Sequence, residues 1–290
     1  MSKGKVPGHE RATSRSASSP SSKKFLGLSL AGGKTDKACL ALIDYFPDQK
    51  KVFLTKLFSG LKAEGSFSSD LKISQLMQEY ESDLEFVAVD QPWRLPLCLQ
   101  CELKCPGYEN CKVEHIQWFW NYYRTLQTQK KETKIFTPYT QRAVESVLLS
   151  QLEQPFMMSH AMGANSAPLL ARAAFLKRRS QANWIEVFPP LSVWRIGRHL
   201  NMKRSDLRSY RKSAVGESCR RQILSHLQKH DVVFLYKEDV QMMIQSVHAF
   251  DAFISAYTAF LKATQQTESR PANFPAQEDW IEFPKEALQI

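Results

Sequence analysis

Four short apolar runs, far apart in the chain, each place a polar or acidic residue among hydrophobic neighbours. They are residues 25–33 (FLGLSLAGG), 86–92 (FVAVDQP), 184–190 (WIEVFPP) and 247–259 (VHAFDAFISAYTA), and the residues in question are Ser29, Asp90, Glu186 and Asp251. An acid in an apolar strand is costly unless it is paired or binds a cation. A fold that tolerates all four must supply partners for them. A parallel sheet that gathers three separated carboxylates points to a Mg²⁺ or Mn²⁺ site. Glu186 reads either as a member of that cluster or as a buried acid paired to an arginine such as Arg142.

The 290 residues and a hydrophobic content of 43% suit a globular domain with a substantial core. No run approaches the roughly 18 apolar residues of a membrane span. Residues 1–22 are rich in Ser, Lys, Arg and Gly and lack an apolar core, so they read as a disordered basic tail rather than a secretory signal. A cytoplasmic protein without membrane partners is the expectation. The net charge of +10 is concentrated: residues 1–24 contribute +5 and residues 195–221 contribute +7, leaving the remainder near −2. Concentrated positive charge favours a polyanion, and nucleic acid is the expected partner. Arg204, Arg208, Arg211 and Lys212 would position its backbone. Lys177 and Arg178, at the end of an apolar helical stretch, read as a cationic last turn that can also touch phosphate.

Apolar patterning predicts strands over 25–30, 38–46 and 51–58, joined by turn residues at 47–50, then a helix over 71–80 and a buried strand over 86–89. Helices are expected over 116–126, 140–152 (with Thr140 as N-cap), 167–179, two within 203–229, and one long helix over 240–262. A strand over 184–188 ends at Pro189-Pro190, and residues 280–284 suggest a late edge strand. This is an α/β pattern with a mixed sheet flanked by helices. It is divided here into the tail at 1–22 and one domain over 23–290, with a Cys-rich insert at 96–115.

Eight segments, in order, carry a resemblance: LGLSLAGG (26–33), VAVDQPWRLP (87–96), TPYTQRAVE (137–145), AMGANSAPLLARAAFL (161–176), WIEVFPP (184–190), Tyr210-Arg211-Lys212, HAFDAFISAYTA (248–259) and WIEFP (280–284). Together they resemble the family called domain of unknown function 429, a predicted nuclease family with a ribonuclease H-like fold. The resemblance implies an acid on the first strand, another on the fourth, and one or two on a C-terminal helix. Asp90 takes the fourth-strand place and Asp251 the helical place, with His248 one turn before it. The first-strand place falls on Ser29, which can lend an oxygen but no charge. Two expectations follow. One is a nuclease or phosphodiesterase using Mg²⁺ or Mn²⁺ through Asp90, Glu186, Asp251, Ser29 and His248. The other is a nucleic-acid-binding or scaffold protein that kept the fold without the chemistry.

Cys98, Cys101, Cys105 and Cys111 are spaced C-x₂-C-x₃-C-x₅-C. Four thiolates so close can surround one structural Zn²⁺, with an iron–sulfur cluster, disulfides and free thiols as the other readings. Gly32-Gly33-Lys34-Thr35 looks like the end of a phosphate-binding loop. The required upstream glycine is Leu28, and a strand pattern follows instead of a helix, so this reading is rejected.

Overall fold

The computed structural model describes residues 22–32, 37–129, 135–151, 162–163, 166–229 and 233–289. Most of the basic tail (1–21) and the glycine–lysine turn at 33–36 lie outside the described residues.

The first three strands are an antiparallel meander: β1 (Lys23–Leu30), β2 (Ala38–Phe46) and β3 (Lys51–Leu61). The β2–β3 turn closes with Gln49 N–H donating to Phe46 O (3.2 Å), and Lys50 takes φ of 54°. β4 (Leu84–Val89) runs parallel to β1 on its other side, followed outward by β5 (Trp184–Val187) and β7 (Ile281–Glu282), both parallel. β6 (Val233–Phe234) adds to β3, giving a seven-stranded mixed sheet in the order β6-β3-β2-β1-β4-β5-β7.

Helices cover both faces. On one face lie α1 (Ser69–Tyr80) and α4 (Ser166–Arg178), packed on Leu26, Leu28, Leu30, Val87 and Val89. On the other lie α5 (Pro189–His199), α6 (Arg204–Arg208), α7 (Ala214–Lys229), α8 (Lys237–Gln245) and α9 (Val247–Ala263), packed on Phe25, Ala41, Ile43 and Ala88. The period-2 alternation of β1 therefore decides which side each of its residues serves. Leu26, Leu28 and Leu30 face α1 and α4, while Phe25, Gly27 and Ser29 face α9. A third cluster, rich in aromatics, joins α2 (Glu114–Thr128) and α3 (Ala143–Gln151) to β7. Among the described residues no helix is long and apolar enough to cross a membrane.

Three elements differ from the pattern-based expectation. Pro189-Pro190 starts α5 as well as ending β5, because proline at the first helical positions lacks only a donor the helix would not use. Thr140 does not cap α3, which begins at Ala143; its hydroxyl instead meets Thr137 Oγ1 at 2.7 Å in the preceding turn. The single long helix expected over 240–262 is two helices. Ser246 leaves the helical region (φ −107°, ψ 114°), and its side chain accepts from Ala249 N–H at 3.3 Å, so it caps α9. That break sets where His248 and Asp251 stand.

α9 lies directly on β1. A Cβ built on Gly27 would overlap the Ala252 carbonyl oxygen and the Ala256 nitrogen, both backbone atoms of α9. Gly27→Ala is expected to destabilise the protein by roughly 1–3 kcal/mol or more, because two packed backbones would have to separate. Urea unfolding checks this as a lower midpoint, and an unchanged midpoint would show that α9 can shift freely.

Candidate functional site

The site forms where the C-terminal ends of the parallel neighbours β1 and β4 meet the start of α9. Asp90 N–H donates to Leu28 O (3.2 Å), so the residue after β4 still follows the ladder of β1. Ser29 is fully buried, and its hydroxyl donates to Asp90 Oδ2 at 2.7 Å. Asp90 Oδ1 accepts from Leu30 N–H at 3.1 Å. Ser29 Oγ also lies 3.2 Å from His248 Nδ1. A hydroxyl has one proton; with that proton directed to Asp90, Ser29 can only accept from His248. Nδ1 then carries the ring proton and Nε2 is left bare.

Asp251 lies one turn along α9 from His248 and is 1% exposed. Its Oδ1 accepts from the Tyr210 hydroxyl (3.0 Å) and its Oδ2 from Arg211 Nη2 (2.7 Å). Arg211 Nε donates to the Tyr210 hydroxyl at 2.9 Å, closing a three-residue ring. The Tyr210-Arg211 segment is itself clamped. Buried Arg220 donates through Nη1 to Tyr210 O and through Nε to Ile244 O (2.9 Å). A side chain at Gly216 would strike the Tyr210 carbonyl.

The electrostatics follow from burial. Asp90 keeps some accessible surface but is densely surrounded by protein, and desolvation pushes its pKa up to about 6. The Ser29 and Leu30 hydrogen bonds oppose that rise, and the Asp251 charge adds to it. Desolvation likewise raises Asp251, against the lowering effects of Arg211 and Tyr210. His248 is exposed at the surface, yet desolvation of its ring pushes it down, against the raising charge of Asp251.

Glu186 is not in this cluster. β5 alternates so that Ile185 and Val187 join the α9 side, while Trp184 packs on the opposite side and Glu186 shares its parity. Glu186 thus leaves the sheet on the face away from Ser29 and Asp90. Its two oxygens accept from Arg142 Nη1 and Nη2, both at 2.7 Å, and Arg142 Nε donates to Glu145 at 2.9 Å. All three side chains are buried.

The basic candidates divide as well. Arg211 is tied to Asp251 although its side chain is 48% exposed. Arg204 and Arg208 on α6, and Lys212 beside Arg211, are exposed around the same segment. Lys177 instead sits over the Trp93 ring, 5.7 Å from its centre, and Arg178 is exposed at the end of α4. Tyr210 and Arg220 escaped the residue-by-residue reading. Tyr210 had a signal, since it opens one of the resembling segments, whereas Arg220 read only as one more positive charge.

Among the described residues, no group of three or more His, Cys, Asp or Glu is arranged to hold a metal. Both oxygens of Asp90 and both of Asp251 are engaged by protein donors, and a guanidinium already neutralises Asp251. The residues as placed do not fit a two-metal centre, which needs carboxylates bridging ions about 4 Å apart.

A family model described as "Protein of unknown function (DUF429)" matches residues 63–276. No curated protein and no solved structure matches the chain.

Two outcomes are expected here. Because the folded pKa of Asp90 is raised, its protonated form stabilises the fold fully below the unfolded value near 3.8, and that contribution is lost as pH rises toward 6. A carboxyl-carbon NMR titration of Asp90 should show a midpoint near 6, and one near 4 would contradict the burial argument. Arg142→Leu takes the guanidinium away from Glu186 and Glu145, leaving buried carboxylates without their cation, and should cost about 3–5 kcal/mol at neutral pH. Chemical denaturation measures it, and a loss within 1 kcal/mol of zero would mean that these carboxylates find other partners.

Proposed function

The chain belongs to the DUF429 family, and on that premise we propose that the site around Asp90, Arg211 and Asp251 binds the phosphate backbone of nucleic acid without metal-dependent cleavage. The observation that carries this reading is the Arg211–Asp251 ion pair at 2.7 Å. In a ribonuclease H-like site that acid would hold a divalent cation; here a guanidinium stands against it. Ser29 on β1 supports the same reading, because it replaces a charge with a hydroxyl that Asp90 and His248 already share. The ribonuclease H-like assignment is itself supported by Ser29 on β1, Asp90 at the end of β4 and Asp251 on α9. Exposed Lys203, Arg204, Arg208 and Lys212 lie around the Arg211 segment and give the site a cationic rim. Such a rim positions a phosphate backbone without reading its bases.

A metal-dependent nuclease or phosphodiesterase using Mg²⁺ or Mn²⁺ is the second reading, favoured by one feature. Arg211 is half-exposed, so an incoming phosphate can draw it off Asp251 and expose both acids. Asp90, raised to about 6, would then exchange a proton close to neutral pH.

One assay separates the two. Labelled single- and double-stranded DNA and RNA are incubated with the protein in Mg²⁺ and in Mn²⁺, and both retention and strand integrity are followed. The binding reading expects intact strands, binding that weakens steeply with salt, and a salt slope smaller by about 1 for Lys212→Ala. Cleavage that disappears in Asp90→Asn would establish the nuclease. Absence of salt-sensitive binding to every substrate would remove both.

A further inference from the structure

The segment between β4 and α2 has little to hold it. From residue 97 to residue 115 no side chain is buried, and Leu99 and Leu103 are exposed. Yet the chain there is shaped into two tight single turns, over Leu97–Gln100 and Tyr108–Asn110. Its main attachment to the rest of the protein is Tyr108, whose ring meets Trp120 and Phe136 at 5.0 and 5.1 Å.

The cysteines occupy the turning points. Cys98 and Cys101 bracket the first turn, which Cys101 N–H closes on Cys98 O at 3.3 Å. Cys111 closes the second in the same way, its N–H donating to Tyr108 O at 3.3 Å. Between them Cys105 precedes Pro106 and Gly107, and Gly107 takes the φ of 88° that reverses the chain. All four thiols are free, and Cys101 and Cys105 are exposed.

We propose that Cys98, Cys101, Cys105 and Cys111 bind one structural Zn²⁺ that crosslinks this loop. A turn bracketed by two sulfurs, with a third before the reversal at Gly107 and a fourth closing the second turn, is suited to a tetrahedral tetrathiolate, and four protein ligands leave no open coordination position for catalysis. The four sulfurs belong to one loop of 14 residues, Cys98 to Cys111. No three of them stand at coordinating positions in this structure, and none of the four is buried, so each side chain can rotate toward the ion. Binding energy then replaces the hydrophobic burial that the loop lacks. Cys39 and Cys219 are buried in the core and take no part. The inference is independent of what the site around Asp90 does.

Metal analysis of the full-length protein, purified without chelator, should find about one zinc per chain. Under reducing conditions, Zn²⁺ should protect four of the six thiols from alkylation, and mass spectrometry should place them at the loop positions. Cys101→Ser should weaken zinc by more than the roughly 10–100-fold typical of losing an outer-shell partner. Its side chain is exposed, and circular dichroism confirms that the fold is retained. Should that variant not fold, the alkylation comparison on the natural chain decides alone. Equal alkylation of the loop thiols with and without zinc overturns the proposal, as does a chain that carries iron and sulfide in place of zinc.

Discussion

The contact between α9 and β1 is what the rest of the molecule is arranged around. Gly27 removes the one side chain that would hold the two backbones apart, and the Ala252 and Ala256 backbone fills the space. That close approach turns a strand and a helix more than 200 residues apart into one rigid unit. Ser29 is two residues along the same face of β1, Asp251 immediately precedes Ala252 on α9, and His248 is one turn before Ala252. The hydrogen bond from Ser29 to Asp90 and the contact with His248 follow from this spacing, with no loop needed to place them.

Around that unit, buried cations act as fasteners. Arg142 joins α3 to β5 through Glu186, and Arg220 joins the Tyr210 segment to the end of α8. Arg172 does the same on the far face, linking α4 to Asp70 of α1 at 2.8 Å. Each guanidinium offers several donors in a fixed plane, so one side chain satisfies groups from separate elements. Arg211 differs because it is half-exposed. It neutralises Asp251 yet presents part of its charge to solvent.

Much of this was legible in the sequence. Apolar alternation and turn residues located β1 to β5, and an acid at the end of an apolar run marked Asp90. The family was readable from short segments in fixed order, and the match over residues 63–276 bears that out. The roles of individual charges were less legible. Glu186 reads either as a companion of Asp90 or as a buried acid paired to Arg142; the structure has the pairing, because parity with Trp184 turns Glu186 to the other face. Arg211 looked like its neighbours Arg208 and Lys212 because composition does not register which charge meets a buried carboxylate. The break at Ser246 was hidden in an apolar run that continues through it, and only the capping hydrogen bond to Ala249 explains why the helix restarts there.

The most direct test of the central claim is Mn²⁺ binding to the full-length protein, followed by electron paramagnetic resonance. With Arg211 neutralising Asp251, the natural protein should show no tight site at Asp90 and Asp251, and Arg211→Ala should create one. A tight Mn²⁺ site in the natural protein that vanishes in Asp90→Asn would contradict the account, and would make Asp90 and Asp251 a metal centre that Arg211 merely guards.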